Sequence, residues 1–155
     1  MSTVVIPQPR PADAAEPQIV NTFFWPDVDL QRLRETLRYE GTITAARLRQ
    51  AVKTAISEVN AELYDYRAEQ MASGFTVLSE VPADMLDGES EKLTNYFDAV
   101  SHLTAATIVE RYRGYDANGT KKVDEIKASA DEYWRDARFS ISKIAGKRPC
   151  IIGLL

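Results

Sequence analysis

TAARLRQAVKTAISEVNAELYDYRAEQMASG, residues 44–74, is the stretch that decides the fold. Its apolar residues Leu48, Val52, Ala55, Ile56, Val59, Leu63 and Tyr66 recur in steps of three and four, which sets them in one stripe along a helix. Thr44 stands where a cap is needed, Gly74 where a left-handed residue would end the last turn, and no proline interrupts the run. At 1.5 Å rise per residue the predicted helix is about 45 Å long. A stripe of that length has to be covered by other helices of the chain, by another subunit or by a ligand.

Three more amphipathic segments offer such cover. A helix is expected over 28–39, beginning only after Pro26 because the residue before a proline is held away from helical geometry. Asp27 or Asp29 caps it, Leu30, Leu33 and Leu37 face inward, and Gly41 stops it. The next is expected over 90–114, with Leu93, Phe97, Val100, Leu103, Thr107, Ile108 and Tyr112 on one side. Asp116, Ala117, Asn118 and Gly119 then form a tight turn. The last helix, over 120–145, places Val123, Ile126, Ala130, Tyr133, Trp134, Ala137, Ile141 and Ile144 inward and is closed by Gly146.

Between helices, residues 74–89 show no sustained period. Phe75, Val77, Leu78, Val81, Met85 and Leu86 make the segment too apolar for a free linker, so it should lie packed on the surface. Phe23, Phe24 and Trp25 are expected to close over the helices as an aromatic lid. No strand is predicted except within the amino-terminal arm.

The two ends differ from this body. Pro7, Pro9, Pro11 and Pro17 favour extended backbone over residues 1–22, and the apolar run Val4, Val5, Ile6 suits the edge or groove of a partner as well as it suits a free terminus. At the other end Ile151, Ile152, Leu154 and Leu155 either fold back on the chain's own helices or insert into a neighbour. The expected architecture is therefore all-α and four-helix bundle-like. An extended Pro-rich arm occupies 1–22, a helical domain 23–149 and a short apolar tail 150–155.

The 155 residues suffice for one domain with its own core, and 45% hydrophobic with 27% charged residues is a globular composition. A single cysteine, Cys150, forms no intrachain disulfide, and the amino terminus lacks a secretory pattern, so an intracellular compartment is expected. No apolar run approaches the roughly 20 residues that cross a bilayer.

Catalytic and metal motifs fail on inspection. Gly114 and Gly119 stand at phosphate-loop spacing, but Thr120-Lys121 reverses the required order and the loop follows a helix. A calcium loop starting at Asp116 would need a bidentate Glu where Lys127 stands. A di-iron bundle needs Glu-x-x-His pairs, whereas the single His102 has Ala99 three residues before it. One histidine also leaves no triad to assemble. His102 reads as a partly buried polar residue, and Glu58 with Glu62 as part of a solvated face. No enzyme activity, cofactor or metal is expected.

Charge is polarised beneath a net value of -4. Arg32, Arg34, Arg38, Arg47, Arg49 and Lys53 meet only Glu35 and Glu40, and Arg138, Lys143, Lys147 and Arg148 meet no acid after Asp136. Glu80, Asp84, Asp87, Glu89 and Glu91 gather in the segment before the third helix. Such a chain could face a phosphate backbone on one side and a basic neighbour on the other, stack on its own copies, or simply carry solvated charges.

The order NTFFWPD, RLRETLR, ITAARLRQAVKTAISEVNAELYDYR, GFTVLSEVPADMLDGES, ERYRGYDANGTKKVDEI, DEYWRDARFSISKIAGKRP closely resembles the phage head completion protein (GPL) family of contractile-tailed phages. The resemblance runs along nearly the whole chain. It implies a virion structural protein that docks at the portal vertex after DNA packaging, stabilises the filled head and prepares it for the tail. Analogy with helical head-to-tail adaptors implies a homo-oligomeric ring of about twelve subunits. Expected partners are the portal protein, tail-side neck or terminator proteins, other copies of the chain and the packaged double-stranded DNA, with no membrane. The place of action is the head-tail junction of the virion, and the host cytoplasm during assembly.

Within that frame Val4, Val5, Ile6, Ile151, Ile152, Leu154 and Leu155 are the candidate partner grips. Arg32, Arg34, Arg38, Arg47, Arg49 and Lys53 are the candidate DNA-facing residues. The competing reading is a small cytoplasmic helical binding or regulatory protein that works alone.

Overall fold

The computed structural model describes residues 17–38, 43–112 and 120–147, with side chains from Ala130 onward in the last helix. The arm residues Val4 to Ile6, the tail residues Ile151 to Leu155 and the expected turn at Asp116 to Gly119 lie outside the described residues. So do the side chains of Tyr112, Val123 and Ile126.

The elements are α1 (Leu30–Leu37), α2 (Ala45–Glu62), α3 (Tyr64–Ala72), a 3-10 turn (Leu78–Glu80), β1 (Met85–Leu86), β2 (Glu89–Ser90), α4 (Glu91–Tyr112) and α5 (Thr120–Ile144). The chain is mainly helical. Asp29 caps α1 by accepting hydrogen bonds from the amides of Gln31 and Arg32, and Arg38 ends it in the left-handed region at φ 54°. The Thr44 hydroxyl accepts from the Arg47 amide at 3.4 Å to start α2.

Helix α4 is the element on which the others pack: α5 lies along it, and α1 and α2 lean on it. Leu30 and Leu33 of α1 are buried, as are Leu48, Val52, Ala55, Ile56 and Val59 of α2 and Ala137, Ile141 and Ile144 of α5. On α4 itself burial covers Ala99, Val100 and Ser101 and then every residue from Leu103 to Ile108. The sequence reading gave α4 one inward face. The structure instead buries it all round, because α5 covers the side that α1 and α2 leave open, and Ala105, Ala106, Ser101 and Thr104 are small enough to let a neighbouring helix close in.

The single helix expected over 44–74 is two helices. Leu63, at φ -96° and ψ 14°, leaves helical geometry between α2 and α3 while its amide still bonds the Val59 carbonyl at 3.0 Å. Leu63 is buried, whereas α3 buries no residue fully and leaves Tyr66 half-covered. Past Leu63 the stripe is only half-covered, through Tyr66, so the second half is held less firmly in line with the first. Gly74 does end the run, at φ 99°.

The segment over 74–89, read as irregular, contains a hairpin. Met85 pairs with Ser90 and Leu86 with Glu89, and the turn residues Asp87 and Gly88 both have positive φ, 51° and 76°. That is the mirror-image turn whose twist suits a tight hairpin, and Asp-Gly is its favoured sequence. A further bridge joins Ile19 to Val28, which had been assigned to the first helix, through amide–carbonyl bonds of 2.9 and 3.0 Å.

The aromatic lid is partial. Phe24 and Trp25 are buried and meet edge to face with centroids 4.8 Å apart, and Trp25 stacks on Tyr96 at 5.1 Å. Phe23 instead stands 65% exposed, because consecutive residues in this turn cannot all point at one core.

A closed polar ring seals the inner edge of this corner. Asn21 Nδ2 donates to the Tyr96 hydroxyl at 2.8 Å, Tyr96 donates to Asn60 Oδ1 at 2.6 Å, and Asn60 Nδ2 donates to Asn21 Oδ1 at 3.1 Å. It ties the segment around Asn21 to α2 and α4 across a long sequence separation. Burial also raises the Tyr96 hydroxyl well above the ordinary phenol range, so it stays protonated and able to donate. Tyr96→Phe keeps the ring stack and removes the hydroxyl from two partners. It should cost about 1–3 kcal/mol, read from urea unfolding, and a cost near zero would mean that water satisfies both asparagines.

Candidate functional site

Among the described residues no group of His, Cys, Asp and Glu side chains could hold a metal ion, and no helix is long and apolar enough to cross a membrane. A groove of about 340 Å³ lies between the α2–α3 joint and α5, floored by Leu63, Tyr66, Ile141 and Ala145. Burial pushes the Tyr66 hydroxyl up to about 12, and Lys92 sits 5.2 Å over the Tyr66 ring while donating to the Ile144 carbonyl at 2.8 Å. These groups hold α3, α4 and the end of α5 together. Glu62, Asp65, Glu69, Arg138, Ser142 and Lys147 complete its lining.

The surfaces are more informative than the groove. Of the candidate DNA-facing residues, Arg32 lies against both oxygens of Glu89 at 3.3 Å and over the Phe97 ring at 4.2 Å. Arg34, two residues and so about 200° further round α1, donates to the Ile43 carbonyl at 3.0 Å. Arg49 donates to the carbonyls of Pro17 at 2.8 Å and Gln18 at 3.5 Å. Arg47 and Lys53 are exposed on α2, and Arg38 is exposed at the end of α1. The structure therefore sends Arg32 toward the acidic hairpin and Arg34 toward the link between α1 and α2. Arg49 becomes a clamp on the entering chain.

The Arg32 neighbourhood includes a half-buried carboxyl. Burial raises Asp98 above the usual carboxylate range, against the pull of His102, Arg32 and Lys143 and with a smaller push from Glu89. A folded carboxyl with a raised value favours the protonated form, so its contribution to stability is present at acid pH and is lost as pH rises through that value. Asp98→Asn should remove this dependence: its melting temperature should fall less than that of the parent between acidic and neutral pH. Parallel pH profiles would show that the surrounding cations already offset the burial.

The hairpin is the most deliberate surface feature. Its base is fixed by buried Ser90, by the Glu91 amide bonding the Asp84 carbonyl at 2.9 Å, and by the Arg32–Glu89 pair. Its first strand, β1, presents Met85 at 63% and Leu86 at 56% exposure, with Asp84 and Asp87 on either side in sequence. Two large apolar residues exposed on an anchored hairpin are the kind of feature that marks a contact surface. The sequence reading placed both residues in a packed loop, although Asp87-Gly88 was a legible hairpin signal.

A second exposed cluster forms where the aromatic turn meets α3. The Arg67 guanidinium lies 5.2 Å from the centroid of Tyr64 and 6.0 Å from that of Phe23, and the two rings are 59% and 65% exposed. Aromatic rings around an arginine are the composition of interface anchors. Phe23 had been read as core, so this patch was also missed.

Comparison with known proteins agrees with an assembly role. A curated relative, the head completion/stabilization protein of Escherichia phage P2, is 51% identical over 152 residues, covering 97% of this chain and 88% of that protein. No solved structure matches the chain. Residues 19–155 match the family described as phage head completion protein (GPL), from the buried Ile19 through the helices and the hairpin to the last residue, and the chain belongs to that family.

Proposed function

We propose that this protein is a virion structural component that docks at the portal vertex once DNA is packaged, stabilises the filled head and readies it for tail joining. The observation that carries the reading beyond family membership is the anchored hairpin, whose apolar residues Met85 and Leu86 stand without cover among the described residues. An adaptor has to present such elements to proteins on either side. The mainly helical body carries it, and copies arranged as a ring would repeat the contact around the portal. The portal protein and tail-side neck proteins are the partners this reading assigns, with the head-tail junction as the site of action.

Electron microscopy of heads made without the protein is the test. Heads that have lost DNA or lack tails are expected, and full, tailed heads would overturn the reading. For the DNA side, Arg47→Glu with Lys53→Glu changes two exposed cations and leaves the Arg49 clamp intact. Packaged DNA should then leak from completed heads with no change in the protein's melting temperature, since exposed charges contribute little to stability. Unchanged retention would make these cations ordinary solvated residues.

A further inference from the structure

We propose that the exposed Phe23–Arg67–Tyr64 patch is a receptor for the proline-rich arm of a second copy of the chain, residues 4–11, VVIPQPRP. The proposal rests on the assembly reading for its setting, but the contact is a property of the protein alone.

The patch has the chemistry of a proline-rich site. Prolines and apolar side chains dock on aromatic faces because the segment is already extended and loses little entropy on binding. Phe23 and Tyr64 offer two such faces, and Arg67 between them adds a guanidinium that can donate to the carbonyls of a segment with no regular internal hydrogen bonds. The one charged residue of the segment, Arg10, has the same sign as Arg67, and Asp13 and Glu16 follow just beyond it, so the contact rests on the prolines and apolar side chains against the rings.

The path of the chain argues for a second copy. Arg49 holds the Pro17 and Gln18 carbonyls, while Asn60 holds Asn21. Arg49 and Asn60 are about 16 Å apart along α2, and residues 17–21 cover about 13 Å at strand rise. This segment therefore runs beside α2 in the same direction as the helix. The chain arrives at the Arg49 end, whereas Phe23, Tyr64 and Arg67 lie beyond the Asn60 end. A chain coming from the Arg49 end has to double back to reach its own patch. Residues 4–16 would span about 40 Å in a polyproline conformation, so length alone permits either patch, and it is the direction of the chain at Pro17 that favours a second copy.

Intermolecular paramagnetic relaxation tests the contact on full-length protein. One copy is isotopically labelled. The other is unlabelled and carries a nitroxide at position 2, introduced as Ser2→Cys with Cys150→Ser. On mixing, the amides of Asn21 to Phe24 and Leu63 to Arg67 in the labelled copy should lose at least about half their intensity relative to the reduced nitroxide, as expected for transient contacts between copies. Phe23→Ser with Tyr64→Ser in the labelled copy should restore it, and because both residues are exposed the fold should survive.

No broadening, or broadening that the double variant leaves in place, would overturn the proposal. So would broadening seen only when nitroxide and isotope share one molecule, which would place the arm on its own patch. Failure of this contact leaves the head-completion reading standing, because heads lacking the protein test that separately.

Discussion

Trp25→Ala is expected to lower the unfolding free energy by about 3–5 kcal/mol, a large share of the 5–15 kcal/mol typical of a domain. The indole is 3% exposed, lies nearly parallel to Tyr96 with a 12° interplanar angle, and takes the edge of Phe24 on its other contact. Removing it opens a cavity between the aromatic turn and α4 and slackens the Asn21–Tyr96–Asn60 ring, which depends on where Tyr96 sits. Trp25→Phe should cost less than half as much. It keeps an aromatic face on Tyr96 and removes an indole N–H that has no partner among the described residues. Urea unfolding followed by circular dichroism separates the two variants. An alanine variant within about 1 kcal/mol of the parent would mean that the turn is not part of the cooperative core.

Met85→Asp with Leu86→Asp should abolish head completion while leaving the fold intact. Both side chains are mostly exposed, so their replacement removes little buried area, and the hairpin base remains held by Ser90 and Arg32. A hot-spot residue contributes about 2 kcal/mol or more to an interface, about 30-fold in affinity, and a ring would repeat the loss in every subunit. Complementation of a phage that lacks the protein measures the effect as the yield of infectious particles. A loss of at least about 30-fold is expected, with the melting temperature unchanged. A yield within about threefold of the parent would remove the hairpin from the docking surface. Arg32→Ala extends the test, because it leaves Met85 and Leu86 in place and removes one of the hairpin's anchors together with the Phe97 contact; an intermediate loss is expected if rigidity of the hairpin matters.

These surfaces differ in how much of them could be read in advance. The basic residues were visible as a run of letters, yet charge alone does not say what a side chain meets. Arg32 is drawn to Glu89, which lies far away in sequence, and Arg49 turns to main-chain carbonyls of the entering segment. The hairpin tip was within reach of sequence reasoning, since Asp87-Gly88 marks the turn. It was passed over because strands of only two residues show no alternation to detect. The Phe23–Arg67–Tyr64 patch was hidden for a different reason: an aromatic residue beside two buried ones reads as core, and only the turn geometry points it outward.

The sequence by itself determined where helices form and several of their caps. Periodic leucines and valines, the caps at Asp29 and Thr44 and the glycine at Gly74 act within a few residues of one another, so their effect is local and legible. The order of motifs along the chain also sufficed to point to the family. Tertiary structure alone decided that the run over 44–74 breaks at Leu63, that α4 is enclosed on all sides, and which residues remain outside. Each of those outcomes depends on which surface another element happens to cover: a helix continues straight only while its stripe is supported, and small residues such as Ala105 and Ala106 become core only once a neighbouring helix closes over them.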